Sequence, residues 1–328
     1  MRSTKHILLT IDVEDWFQVE NFKPWIPFST WDQRELRVER NVHQLLDLFD
    51  SIELRDKKTD GRNQNSDFRK LKKVEPKKYP QNPDNPVRKN RNKIKATFFV
   101  LAWIAKKLPR LVREIQSRGH EIASHGCNHE LPELLSADEL KQDLTDSKKL
   151  LEDITGAEVA GYRAPSFAIN DDILKIIEDA GYFYDASYNS FSLHGRYGKI
   201  SLNGLAKKGI AHKLSNDFYE LPVSNLMINC WVLPLGGGAY FRLIPVSLFN
   251  LGIKKILRHQ DAYMFYTHPW EFDPEQPKVN QADFNFKFRH YTNLNKTQAR
   301  LRSLIESFDH CQFTTCSGYL QATISHSL

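Results

Sequence analysis

Two histidines four residues apart, His125 and His129, stand in the stretch His120 to His129 (HEIASHGCNH), where a short apolar segment gives way to a turn at Gly126. A strand that delivers His125 at its carboxyl end, followed by a turn that returns His129 beside it, lets two imidazoles share one ion. A divalent cation such as Zn²⁺ takes neutral imidazole nitrogens, and a catalytic site holds it with three protein ligands while leaving a position for water. The pair therefore requires a third ligand, a carboxylate, from elsewhere. Acids gather at one other strand end: Ile7 to Val13 (ILLTIDV) is an apolar run, and Asp12, Glu14 and Asp15 cluster at its close. Carboxylates buried together need cationic partners, which a metal ion and an arginine would supply. The aromatic residues that follow, Trp16, Phe17, Trp25 and Trp31, suit either a sugar-binding rim or a packed core.

The elements that must position these residues alternate in type. Lys95 to Leu101, His120 to Ser124, Val159 to Tyr162, Tyr182 to Tyr184, Phe218 to Val223, Asn229 to Leu235, Ala262 to Thr267 and Cys311 to Thr315 read as further strands. Between them, helical periodicity runs from Trp31 to Phe49, from Pro109 towards Gly119, from Asp171 to Ala180, from Ile244 to Leu257 and from Asn295 to Phe308. Ser136 with Glu139 forms a capping box for another helix, closed by Gly156. Several strands end in a polar residue: Asp12, His125, Arg163, Asp185 and His268. Alternating strands and helices with polar residues at the carboxyl ends describe an α/β barrel or doubly wound sheet with its site at those ends.

Composition limits the alternatives. A chain of 328 residues with 41% hydrophobic content can bury a full core. Four cysteines, Cys127, Cys230, Cys311 and Cys316, form no CxxC pair, which argues against a disulfide scaffold or a cysteine zinc site. The start, MRSTKHILLTIDVEDWF, has no long apolar centre with a cleavage site, and no stretch reaches membrane-spanning length, so a cytoplasmic location is expected. The net charge of +6 is concentrated in one place: Arg55 to Lys95 holds 15 Lys or Arg against 5 Asp or Glu, a local charge of +10. That segment, rich in proline and asparagine, reads as a disordered low-complexity basic insertion over 55–95. Its sharper reading is an arm for peripheral contact with an anionic surface; nucleic acid is not expected as a partner. The run Gly236 to Gly238 lacks the Lys and Ser/Thr of a phosphate loop.

Taken in order, Thr10 to Trp16 (TIDVEDW), Ser124 to His129 (SHGCNH), Arg163 to Ser166 (RAPS), the Asp185 strand end and Thr267 to Trp270 (THPW) resemble the motifs of the NodB-homology polysaccharide deacetylases, carbohydrate esterase family four. Leu233 to Leu243 (LPLGGGAYFRL) and THPWEFDP are similar to the subgroup associated with exosortase and exopolysaccharide gene clusters. The resemblance spans nearly the whole chain outside the basic insertion. It implies one deacetylase-like domain over 1–328, folded as a distorted (β/α) barrel, with 190–328 including the subgroup-specific portion. It also implies metal-dependent removal of acetyl groups from an N-acetylhexosamine-containing polysaccharide or its precursor, in exopolysaccharide biosynthesis. The cofactor would be a divalent metal, Zn²⁺ first, with Co²⁺ or Ni²⁺ as alternatives.

Residue by residue, the resemblance makes Asp12 the base, His268 the acid, Arg163 the residue that holds the base and Asp185 the support of the histidine. His125 and His129 match the metal histidines. Where the family has two adjacent aspartates, this chain offers Glu14 or Asp15 as the carboxylate ligand, and Asp15 is preferred. The backbone N–H of Ser166 is the implied oxyanion donor, and Trp16, Tyr188 and Trp270 are the candidate substrate contacts. The chemistry asks for these types: a carboxylate to take a proton from water, a cation to polarise the amide carbonyl, and an imidazolium to protonate the departing amine. Hydrolysis of another C–N bond, as in allantoinase-like relatives, and a carbohydrate-binding protein with a degenerate site are the competing readings.

Overall fold

The computed structural model describes residues 4–54, 93–191, 197–229 and 231–325, so nearly all of the basic insertion over 55–95 lies outside the described residues. The strands are β1 (His6–Val13), β2 (Ala96–Val100), β3 (Glu121–Ser124), β4 (Gly161–Tyr162), β5 (Tyr184–Asp185), β6 (Lys207–Lys208), β7 (Ala211–Lys213), β8 (Tyr219–Glu220), β9 (Leu226–Ile228), β10 (Trp231–Leu233), β11 (Ala262–Thr267) and β12 (Gln312–Phe313). The helices are α1 (Val38–Ser51), α2 (Ala102–Lys107), α3 (Pro109–Ser117), α4 (Ala137–Thr155), α5 (Asp171–Asp179), α6 (Gly238–Leu243), α7 (Val246–His259), α8 (Phe284–Tyr291), α9 (Thr297–Ser307) and α10 (Cys316–Ser325).

The main sheet runs β11-β1-β2-β3-β4-β5-β8-β7-β6, with β12 paired to the start of β1. From β11 to β8 every pairing is parallel, and the order follows the chain around an arc, as successive right-handed βα units require. The antiparallel β7 and β6 end the arc. Among the described residues no ladder joins β6 to β11, so the sheet is a curled half-barrel and not a closed ring.

The period-2 alternation of the strands decides which residues reach the concave side. On β1, Ile7, Leu9, Ile11 and Val13 join the core beneath the helices, whereas Leu8 belongs to the inner cluster and Thr10 and Asp12 share its direction. On β2, Phe98 and Val100 face the helices and Phe99 faces inward; on β11, Tyr263 and Phe265 face the helices and Met264 and Tyr266 face inward. The same parity carries Asp12 and His268 to one side, past the last inward apolar layer.

The helix expected from Trp31 to Phe49 is divided. A 3-10 segment covers Phe28–Gln33, and α1 begins only at Val38, with Leu36 left exposed. The cause is not local. The Asp15 carboxylate, one turn beyond β1, accepts the backbone N–H groups of Arg37 (2.7 Å) and Val38 (2.9 Å) and so sets where α1 starts. The Ser136–Glu139 capping box and left-handed Gly156 bound α4 as the sequence predicts. The strand expected over Asn229 to Leu235 is instead the hairpin β9–β10, turning at Asn229 with φ 53°.

Candidate active site

Glu14 follows β1, His125 follows β3, and His129 sits beyond the Gly126 turn (φ 77°) in a left-handed conformation of its own (φ 57°). All three are buried, and Glu14 Oε1 stands 3.1 Å from His125 Nε2 and 3.1 Å from His129 Nε2. They are the one cluster with metal-ligand geometry among the described residues. His125 shows why a cation fits there. Its Nδ1 lies 2.7 Å from the Arg163 carbonyl oxygen, which can only accept, so Nδ1 carries a proton, and in the neutral form that ligates a metal Nε2 would turn its lone pair to the Glu14 carboxylate. Two electron-rich atoms at that distance need a positive species between them. Glu14 also favours a proton on the second imidazole, His129. Burial alone would lower the pKa of His129, but Glu14 outweighs it and pushes the ring up to about 9. A metal ion would displace that proton.

Asp15, the preferred carboxylate ligand on the sequence, is not part of the cluster. Its Oδ2 holds the start of α1, and its Oδ1 accepts the Trp16 N–H at 2.8 Å. Successive residues after a strand point to different sides, so only one member of Glu14–Asp15 can face the histidines, and that member is Glu14.

Asp12 is fixed by Arg163, whose Nη1 donates to Asp12 Oδ1 (2.8 Å) and Thr10 Oγ1 (2.7 Å) while its Nε donates to the Ala186 carbonyl (2.9 Å). The guanidinium is fully buried over the Phe99 ring at 4.2 Å. A buried Arg held by this many acceptors is a rigid partner, and it keeps Asp12 oriented with Oδ2 free to face the site. His268 Nε2 lies 3.9 Å from that Oδ2 and 3.8 Å from Glu14 Oε1.

The support of His268 is not Asp185. The Asp185 carboxylate accepts the Ser187 hydroxyl (2.7 Å) and Ser187 N–H (2.9 Å), and Ser187 in turn accepts the Ala164 N–H (2.8 Å), so it braces the RAPS loop instead. His268 Nδ1 meets Glu271 Oε1 at 2.9 Å, and Glu271 Oε2 accepts Arg242 Nε at 2.7 Å, with Glu271 and Arg242 both buried. Burial would raise the Glu271 pKa, but Arg242 and His268 hold it down to about 2. Burial likewise opposes the charge on His268, and Glu14, Glu271 and Asp12 outweigh it, pushing the imidazole up to about 9. Its ring stacks on Trp270, which stacks on His290 at 4.1 Å. Sequence reading missed Glu271 and Arg242, although Glu271 stands three residues after His268, the spacing of a capping box, which the structure shows.

These groups open on a pocket of 140 Å³ lined by Asp12, Glu14, His129, Ser166, His268 and Trp270 on one side and by Tyr197, Ala239 and Arg289 on the other. Ser166 and Phe167 both have left-handed backbone (φ 54° and 59°), a strained pair at the lip of the site. Two expected substrate contacts lie elsewhere. Trp16 is buried in an aromatic cluster with its Nε1 donating to the Glu35 carbonyl, and Tyr188 packs against the main core.

Residues 90–184 match the polysaccharide deacetylase family. Over that stretch, under a third of its length, this chain is similar to the polysaccharide deacetylases. That segment holds His125, His129 and Arg163, and residues 186–320, which hold His268, Glu271 and the far pocket wall, match a domain of unknown function, DUF3473. A peptidoglycan-N-acetylglucosamine deacetylase of Bacillus cereus is 36% identical over 27% of this chain and 42% of its own length. A chitooligosaccharide deacetylase of Sinorhizobium fredii is 33% identical over 27% of this chain and 42% of its own length, and a peptidoglycan deacetylase of Helicobacter pylori is 27% identical over 39% and 47%. The chain thus spans less than half the length of these curated relatives. A solved structure assigned to the polysaccharide deacetylases of Mycobacterium smegmatis shares the fold, with a TM-score of 0.57 at 17% identity over 99% of this chain and 92% of that one.

Proposed function

We propose that this protein is a metal-dependent hydrolase that removes N-acetyl groups from an N-acetylhexosamine-containing polysaccharide or its precursor, in exopolysaccharide biosynthesis. One observation carries the reading: in the lining of one pocket the His268 imidazole lies within 4 Å both of the buried Asp12 carboxylate and of Glu14 in a metal-type donor set. The similarity to deacetylases of N-acetylated glycans supports the substrate class, and the THPWEFDP and LPLGGGAYFRL motifs support the biosynthetic setting.

A Zn²⁺ ion held by Glu14, His125 and His129 would polarise the acetyl carbonyl and make water more acidic. Asp12, oriented by Arg163, takes the proton of the attacking water as its oxygen bonds to the carbonyl carbon. The Ser166 backbone N–H is the proposed donor to the oxyanion, presented by the strained turn. His268, kept charged by Glu271, delivers its proton to the amide nitrogen as the C–N bond breaks, leaving acetate and a free amine. Trp270 lines the pocket but is buried, with its ring stacked on His268 and His290, so it positions the imidazole and presents no open face to a sugar ring.

The test is acetate release from N-acetylglucosamine oligomers and from N-acetylated exopolysaccharide fragments, before and after chelation and with Zn²⁺ restored. Release that chelator stops and Zn²⁺ recovers is the expected outcome. Metal-loaded protein that frees no acetate from any of them would refute the proposal.

A further inference from the structure

The hairpin β9–β10 is apolar on both faces. In its register Trp231 lies opposite Ile228, and Leu233 opposite Leu226, on one side; Val232 lies opposite Met227 on the other. An antiparallel ribbon with one solvated face ordinarily alternates apolar and polar residues. Here the eight residues Leu226 to Leu233 (LMINCWVL) carry no charge, and Trp231 and Met227 are 72% and 56% exposed. The ribbon seats on α7, where a side chain added at Gly252 would strike Leu235 and touch Leu226. The outer face of α7 continues the patch with Leu248 and Leu251, 60% and 63% exposed. One turn further along the same face, Lys254, Lys255 and Arg258 are exposed. From Leu221 to Gln260 the sequence contains no Asp or Glu, in a chain with 40 of them.

We propose that the β9–β10 hairpin and the adjoining face of α7 dock the protein on a bilayer bearing anionic headgroups. Seated on α7 through Leu226, the ribbon still turns Met227, Trp231 and Leu233 to solvent, a projecting apolar edge that acyl chains can enclose. An indole at the tip suits the interfacial layer, and cations beside an apolar face, in a stretch of sequence without acids, complement anionic lipid. Among the described residues no helix is long and apolar enough to cross a membrane. From β10 the chain passes through Gly236 and Gly237 into the pocket wall at Gly238 and Ala239, so the docked surface is covalently close to the site. The inference stands independently of the deacetylase reading.

Sedimentation of the full chain with phosphatidylcholine vesicles, with and without phosphatidylglycerol, tests it at low and high salt. The expected result is binding to the anionic vesicles that weakens with salt. The double variant Trp231→Ser, Leu233→Ser and the double variant Lys254→Gln, Lys255→Gln should each reduce it roughly tenfold or more. All four positions are solvent-exposed, and urea unfolding curves matching wild type show that each variant is folded. Failure of the wild type to bind either vesicle, or unchanged binding by both folded variants, overturns the proposal. Concentration-dependent self-association that the hairpin variant abolishes, without vesicle binding, would also overturn it and assign the patch to a second copy of the chain.

Discussion

Replacing Glu271 with Gln should weaken both the fold and the proton donor, by amounts the structure allows to be worked out. Glu271 and Arg242 are buried, and Gln keeps one carbonyl oxygen for His268 Nδ1 but turns an NH₂ group towards Arg242 Nε, a donor against a donor. Arg242 still reaches the carbonyls of Arg289, His290 and Thr292 but loses the Glu271 carboxylate. Breaking a buried pair from one side costs about 3–5 kcal/mol. The pKa leads to the same place by another route: a carboxyl moved from 4.5 to about 2 corresponds to roughly 3 kcal/mol of stability. The sign is that of a depressed carboxyl. Its contribution is present above pH 4.5 and is lost as the pH falls towards about 2. Urea unfolding at pH 7 should therefore show Glu271→Gln less stable by about 3 kcal/mol, with the gap narrowing below pH 4.5. On an N-acetylated oligomer, kcat should fall about tenfold or more with KM little changed, and its alkaline limb should move to lower pH, because His268 loses a neighbouring negative charge. A variant with wild-type stability at pH 7 and an unmoved alkaline limb would refute both the pairing and the positioning role.

Glu14→Gln should weaken Zn²⁺ binding more than about 100-fold, since even outer-shell partners are worth 10–100-fold, whereas Asp15→Asn should retain the ion; metal analysis after dialysis reads both. His268→Ala should lose orders of magnitude on the amide and recover much of its activity on an acetate ester with a nitrophenolate leaving group, while Asp12→Asn stays poor on both. Equal losses on both substrates would show the two roles to be misassigned. His120, buried against Phe49 and Phe98 with its Nδ1 accepting the Ala96 N–H, has its pKa lowered by burial to about 4. The unfolded chain takes up that proton first, so the contribution of this group to stability should fall by about 3 kcal/mol as the pH drops from 6.5 to 4. His120→Gln should flatten that dependence by one proton, as denaturant curves across the range would show.

What the sequence alone determined was set by short-range rules. The alternation of β1 and β11 sends Asp12 and His268 to one face whatever lies opposite, because side chains on a strand change sides at every residue. The HxxxH turn, the Ser136–Glu139 cap and the Gly156 stop likewise depend on a few neighbouring residues. Tertiary structure decided the rest. Whether Glu14 or Asp15 turns to the histidines is settled by the start of α1, more than twenty residues away, which claims the Asp15 carboxylate. The partner of His268 is chosen by Arg242, carried in from α6, and Asp185, the partner its motif implied, is engaged with Ser187. Carboxylates are alike in sequence and become distinct when folding assigns each a cation, a backbone N–H or a metal site. The cation partners among those assignments come from elements far apart in the chain, and no local pattern encodes them.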